Sequence, residues 1–241
     1  KRKYPMKRRD VVSFLTLGSV MVASNTAFAQ LGGLTDSITG KSGSDTQGEG
    51  GSISSWKEAA NAFTTAKNEF SSSVSGLANI SADIAEALDL KSEAETLRSE
   101  AANLSSKGDA MGSSDLEAIS ENSAATNELI DEKLRAAESL SDVQKAALGK
   151  AAVDYLPLMV TTIGVAGRVK DTVSGAASLG APGFKDGKAA LSAAKEIPSL
   201  GPKMVTFSVD SAKTGISLLE LMNTKGVATP DTSDIDVSGL I

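Results

Sequence analysis

The chain contains no cysteine and no histidine among its 241 residues. Without cysteine it has neither a disulfide framework nor a thiolate nucleophile, and without histidine it lacks the most frequent general base and the commonest zinc ligand. The groups left for chemistry are carboxylates, lysines, hydroxyls and Tyr155, and they form no catalytic pattern. We therefore expect a protein that is not an enzyme and that uses no cofactor and no metal.

Aromatic residues are also scarce, at 4% of the chain, and no stretch alternates apolar and polar residues over the length of a strand. Apolar residues recur instead at helical spacing. This pattern predicts an all-α fold, an elongated antiparallel bundle of four to five helices. A core poor in aromatics buries little area per residue, so we expect self-association to add stability. One apolar ladder, seven residues apart, consists of Trp56, Phe63, Phe70, Leu77 and Ile84.

The first residues have the pattern of an export signal. Met6 is followed by the basic residues 7–9, an apolar stretch over 11–23 and a small-residue cleavage pattern at 27–29. We expect residues 1–29 to be a signal peptide that is removed, which places the mature protein in the periplasm or outside the cell. The arginine pair of the basic run leaves both the general and the twin-arginine export routes open.

Removal of this signal makes the chain strongly acidic. Residues 1–29 hold six of the 24 basic residues and one of the 30 acidic residues, so 18 basic and 29 acidic side chains remain, for a formal charge of −11. A polyanion of this kind is repelled by nucleic-acid backbones and by anionic lipid surfaces. We expect no nucleic-acid partner, and contact with a membrane is not favoured.

Composition divides the mature chain into three parts. Residues 30–53 are rich in glycine and serine and predict a flexible N-terminal arm that acts as a tether. Residues 54–226 carry the helical pattern of a bundle domain, and residues 227–241 form an acidic tail. Within that tail, residues 234–239 match the first half of a calcium-binding loop but lack the glutamate at its twelfth position, so we interpret them as solvated tail.

Capping residues, prolines and glycines predict where the helices begin and end. A serine followed three residues later by glutamate or glutamine opens three of the expected helices, at Ser55, Ser114 and Ser141. The first expected helix runs from residue 55 to as far as 107 and is weakened at 71–76, and the second begins at Ser114. The third covers 142–179 and is kinked or restarted at Pro157. A short helix over 187–197 is stopped by Pro198, and the last helix runs from Pro202 to Gly226.

Residues 151–167 are the least polar part of the mature chain and contain one charge, Asp154. We interpret that charge as the partner of Lys150, one helical turn before it, and the adjacent Tyr155 as a core aromatic. The stretch fits the buried centre of a bundle, the wall of an apolar-ligand cavity, or a membrane-inserting hairpin over 143–173 that turns at Pro157. The candidates for an apolar interaction surface are Leu156, Leu158, Met159, Val160 and Ile163.

These features favour an exported, non-enzymatic helical-bundle protein that acts through a protein partner or through itself, as a structural component that self-assembles. The alternative is a lipid-binding, apolar-ligand-binding or membrane-acting protein that uses residues 151–167. The two hypotheses differ in what covers the apolar stretch.

Overall fold

The computed structural model describes residues 53–232 and Ile235. Helices dominate this part, which contains no strand, so the all-α expectation is confirmed for the residues described. The signal at 1–29, all but the last residue of the tether at 30–53 and most of the tail beyond Thr232 lie outside the described residues. The helices are α1 (Trp56–Ala87), α2 (Lys91–Lys107), α3 (Ser113–Ala136), α4 (Asp142–Ala177) and α5 (Gly187–Thr224).

Helix α1 is the centre of the bundle, because it packs against each of the other four helices. The ladder predicted from its sequence is confirmed, since all five of its large residues are buried. Phe70 meets Phe207 of α5 edge to face at 5.8 Å between ring centroids. At the start of α1, Trp56 Nε1 donates to the Gly180 carbonyl at 2.9 Å, which ties this end to the loop after α4.

The expectation that the first helix continues to residue 107 is wrong. Helix α1 ends at Ala87, Asp89 takes a left-handed φ of 63°, and α2 returns antiparallel along α1. Aspartate tolerates this conformation better than most residues. The turn buries Leu88 and Leu90 in the core, and this burial favours a hairpin over one long rod.

The serines expected to weaken α1 instead join it to α2. Ser71 Oγ donates to the Leu104 carbonyl at 2.8 Å, and Ser75 Oγ donates to the Ala101 carbonyl at 3.0 Å. Both hydroxyls are buried, so each is satisfied by the neighbouring helix and does not compete with the α1 backbone. Helix α1 is therefore continuous through this region.

Proline does not end the last helix, so the expected stop at Pro198 is wrong. Helix α5 is one element that contains both Pro198 and Pro202. A proline in a helix interior costs about 3 kcal/mol. Burial of the neighbouring Ile197, Leu200 and Met204, each at most 3% exposed, offsets that cost.

Helix α4 is likewise continuous across Pro157, so the bundle contains no hairpin that turns there. Pro157 has no amide hydrogen, so the Val153 carbonyl one turn earlier lacks its helical hydrogen bond, and Val153 lies on an exposed side of the helix. Solvent can satisfy that carbonyl. The sequence predicts a kink or a restart at Pro157, and the continuous helix excludes the restart.

The reciprocal capping pattern is confirmed at Ser141, half formed at Ser55, where Glu58 Oε2 accepts from the Ser54 amide instead of the Ser55 amide, and displaced at the third helix. Ser141 Oγ accepts from the Gln144 amide at 3.2 Å, and Gln144 Oε1 accepts from the Ser141 amide at 3.1 Å. Ser55 Oγ accepts from the amide three residues on at 3.3 Å. The cap of helix α3 is Gly112, two residues before the expected Ser114, and Asp115 Oδ2 accepts from the Gly112 amide at 2.9 Å.

The end of α5 lies where the sequence placed it. Gly226 has a φ of 76°, and the Val227 amide donates to the Met222 carbonyl at 3.1 Å, the arrangement of a Schellman motif. Val227 and Met222 are both buried in the same apolar cluster. The first residue of the tail therefore belongs to the bundle core.

Candidate functional site

Helix α4 carries the apolar stretch and is covered on one side, where it packs against α1 and α5. Residues of that side are at most 5% exposed and belong to the core. They are Ala151, Ala152, Tyr155, Met159, Val165, Ala166 and Val169. Residues 151–167 are thus wrapped by sister helices along the inner side of α4, and the functional question moves to its outer side.

Tyr155 is a core aromatic, as the sequence predicted. It is 4% exposed, and its hydroxyl donates to the Ser211 carbonyl at 3.5 Å. Burial raises the pKa of the Tyr155 hydroxyl to about 12, so it stays protonated at neutral pH. Gly215 of α5 makes room for the ring, because a Cβ there would stand 2.4 Å from Tyr155 Cε1. The residue fixes the packing of α4 on α5 and has no access to a substrate.

The five candidate surface residues do not share one face. Met159 is 1% exposed and lies in the core. Leu158 fills the space above Gly76 of α1, where an added Cβ would stand 2.6 Å from Leu158 Cδ1. Leu156 and Ile163 are half-buried against the cluster around Tyr155. Of the five, Val160 is half-buried and lies outside all three apolar clusters.

The outer side of α4 carries a row of small and apolar residues, which we call the outer stripe. Its members recur every three or four positions and therefore share one face of the helix. Val153 is 59% exposed, and a Cβ added at Gly164 would meet nothing within 4 Å. The outer stripe consists of Val153, Pro157, Val160, Gly164 and Gly167.

Charged residues stand at both ends of the outer stripe. At its N-terminal end, Lys150 Nζ lies 3.2 Å from Asp154 Oδ2, which confirms the predicted pair. At its C-terminal end, Arg168 pairs with Glu69 of α1, and Asp171 is exposed one turn further on. Each end therefore offers one basic and one acidic side chain.

Sequence reasoning found Val160 and the close-approach glycines Gly164 and Gly167, but it did not join them with Val153 and Pro157 into one outer face. The signal was present in the spacing of residues 153, 157, 160, 164 and 167. It was hidden because both sides of α4 are apolar over this stretch, and periodicity alone does not separate an inner from an outer side.

Apart from the outer stripe, a groove lies between α3 and α5 and has a volume of about 410 Å³. Its floor includes Leu116 and Phe207, and its rim carries the carboxylates of Glu117, Glu121 and Asp210. Lys203 spans the groove to pair with Glu117. The excess of carboxylates disfavours anionic ligands in this groove.

Comparison of the chain with protein families, with curated proteins and with solved structures finds no match in any of the three. Within the residues that the structure describes, no helix combines the length and the apolar character needed to cross a bilayer. The surface of the bundle is therefore the feature from which function is inferred.

Proposed function

We propose that this protein is an exported, non-enzymatic helical bundle that works by protein–protein association, as a structural component that assembles outside the cytoplasm. The observation that carries the proposal is the outer stripe of α4. Val153 is 59% exposed, Gly164 is open to a neighbour, and the two residues belong to one apolar face of a long helix.

The width and chemistry of the outer stripe suit a protein partner. Glycines let a second backbone approach closely, and valine and proline offer rigid apolar contacts that lose little side-chain entropy when covered. A continuous row of exposed and half-buried apolar residues, bounded by charges, is typical of an interaction site. A lipid phase fits less well, because Lys150 and Arg168 flank the row and the mature chain is acidic.

The exported location is supported by the sequence of residues 1–29 alone, and it has a direct test. The full chain, expressed with a C-terminal epitope in a Gram-negative host, should yield a shortened form in the periplasmic or extracellular fraction. A full-length form retained in the cytoplasm would contradict the proposed location.

The association is tested by photo-cross-linking in the exporting cell. A photoreactive residue at Val153 should give discrete adducts with protein. The same group at Lys213, an exposed position on α5, is the matched control and should give few or none. Adducts with lipid instead of protein at Val153 would overturn the proposal in favour of the lipid-binding alternative, and so would equal protein labelling at both positions.

A further inference from the structure

We infer that the partner of the outer stripe is a second copy of this chain, packed antiparallel on α4 with a two-fold axis beside Val160. This inference rests on the proposed function and names the partner for that surface. In such a pair the same patch serves both copies, so each contact occurs twice. The inference is carried by the order of charged and small residues along α4.

The charges are complementary in the antiparallel arrangement. With the axis between residues 160 and 161, position 150 faces position 171 of the second copy, and position 154 faces position 167, next to Arg168. The opposed charges are Lys150 with Asp171 and Asp154 with Arg168. All four side chains are on the exposed side of α4, so each can reach across a helix pair. Symmetry doubles the two contacts to four, in which Lys150 and Arg168 exchange their partners within the subunit, Asp154 and Glu69, for carboxylates of the second copy.

The same register also matches shape. Position 157 faces position 164, so the ring of Pro157 lies over Gly164 of the second copy, where there is open space. Val160 lies beside the axis, one residue out of register with its own symmetry mate. Gly167 lies opposite Asp154 and leaves room for that side chain. Small residues at these points permit the close helix approach that brings the flanking charges together.

A parallel arrangement lacks both advantages. It places Lys150 against Lys150 and Asp171 against Asp171, and like charges in direct opposition are destabilising. It also places the two Pro157 rings against each other and the two Gly164 residues against each other. The rings are then crowded, and a gap remains between the glycines. The surface therefore selects the antiparallel pair.

The absence of cysteine makes single-cysteine cross-linking a clean test. At about 1.5 Å rise per residue, the two copies of position 160 lie within roughly 2 Å of each other along the helix axis, whereas the two copies of position 153 are about 22 Å apart. Purified V160C, treated with a short bismaleimide, should form a covalent dimer at least tenfold faster than V153C. Both residues are in the outer stripe, and Val153 is the more exposed.

Val143 provides the control for random collision, because it is 80% exposed and distant from the axis. V143C should therefore dimerise no faster than V153C. Equal rates at all three positions would overturn the antiparallel inference. A mixture of P157C and G164C chains should give a heterodimer in preference to either homodimer, and absence of that preference would also overturn it.

Charge exchange tests the ends of the interface. K150E should raise the dimer dissociation constant at least tenfold in sedimentation velocity, D171K should do the same, and a mixture of the two variants should recover a heterodimer. K91E, the same charge change at an exposed site on α2, should have no effect.

If the unmodified chain is a monomer at all concentrations, the inference fails. Protein adducts at Val153 in the cell would then still support the proposed function, which keeps the two failures distinguishable.

Discussion

Single glycines determine how closely the helices of this bundle approach one another. Gly215 lies under the Tyr155 ring, and Gly201 lies against Val173, whose Cγ2 would stand 2.5 Å from an added Cβ. Gly164 is also helical, but the space around its Cα is open. Glycine on α5 therefore makes room for side chains of α4, whereas Gly164 on the outer side of α4 makes room for none. Substitution by alanine distinguishes the two cases.

We predict that Gly215→Ala destabilises the protein by about 1–3 kcal/mol, because the new methyl group displaces a fully packed tyrosine. Gly164→Ala should instead stabilise it by about 0.4–1 kcal/mol, since alanine restricts the unfolded chain and meets no neighbour in the folded one. Urea unfolding followed by circular dichroism measures both. A destabilised Gly164→Ala monomer would show that this face is covered within the subunit.

An ion pair between a buried lysine and a glutamate whose side chain is 44% exposed joins α1 to α5. Lys67 Nζ lies 2.9 Å from Glu196 Oε2 and 5.9 Å from the centre of the Phe63 ring, and the lysine is 5% exposed. Burial by itself raises the pKa of Glu196, but hydrogen bonds from Lys67 and Ser192 outweigh it, so the pKa lies below its ordinary value. The carboxylate thus stays charged in the folded protein at a pH where it is protonated in the unfolded chain.

We predict that Glu196→Ala destabilises the protein by about 1–3 kcal/mol, because it leaves the ammonium of Lys67 buried without its partner. Lys67→Met should cost less, since it removes the buried charge itself. The stabilisation from Glu196 is present above the unfolded pKa and is lost as the pH falls through the lower folded pKa. Unfolding curves from pH 7 to pH 3 should therefore converge for wild type and Glu196→Ala. A constant difference over that range would contradict the assignment.

At the scale of elements, tertiary burial overrides local signals in both directions. Two prolines do not end α5, because the residues around them are packed on α1 and α4. A sequence with no glycine or proline nevertheless turns between α1 and α2, where Asp89 takes a positive φ. Both outcomes follow from the apolar area that each arrangement buries.

The positive φ of Asp89 predicts how substitutions at this turn change stability. Asp89→Gly should be more stable than Asp89→Ala by about 1–2 kcal/mol, because glycine takes the left-handed conformation without the Cβ clash that alanine meets. Both variants remove the carboxylate, so the comparison isolates the backbone. Thermal unfolding measures the difference. Equal stability would show that this φ is not positive in solution.

At the scale of the whole molecule, folding buries one side of α4, and we propose that association uses the opposite side. Val165 is 0% exposed between α4 and its neighbours, while Val160 is half-buried at the centre of the outer stripe. The two valines are five residues apart in one helix. They therefore form a matched pair for testing whether the bundle folds independently of its partner.

We predict that Val165→Asp unfolds the bundle, because it buries an unpaired charge in the core. Val160→Asp should keep its helicity and lose association with the second copy, since its carboxylates would meet at the two-fold axis. Far-ultraviolet circular dichroism and light scattering measure the two properties on one sample. Loss of helicity in Val160→Asp would place that residue in the core and remove the basis for an outer stripe.

The sequence alone was sufficient for the helical class, the buried ladder of α1, the Ser55 and Ser141 caps, the Gly226 stop and the Lys150–Asp154 pair. Each depends on residues within one or two turns of each other, where spacing is enough to define geometry. Only the tertiary structure decided that Asp89 begins a turn, that Pro198 lies inside a helix, and which side of residues 151–167 is covered. These outcomes depend on area buried between distant segments, which local spacing does not encode.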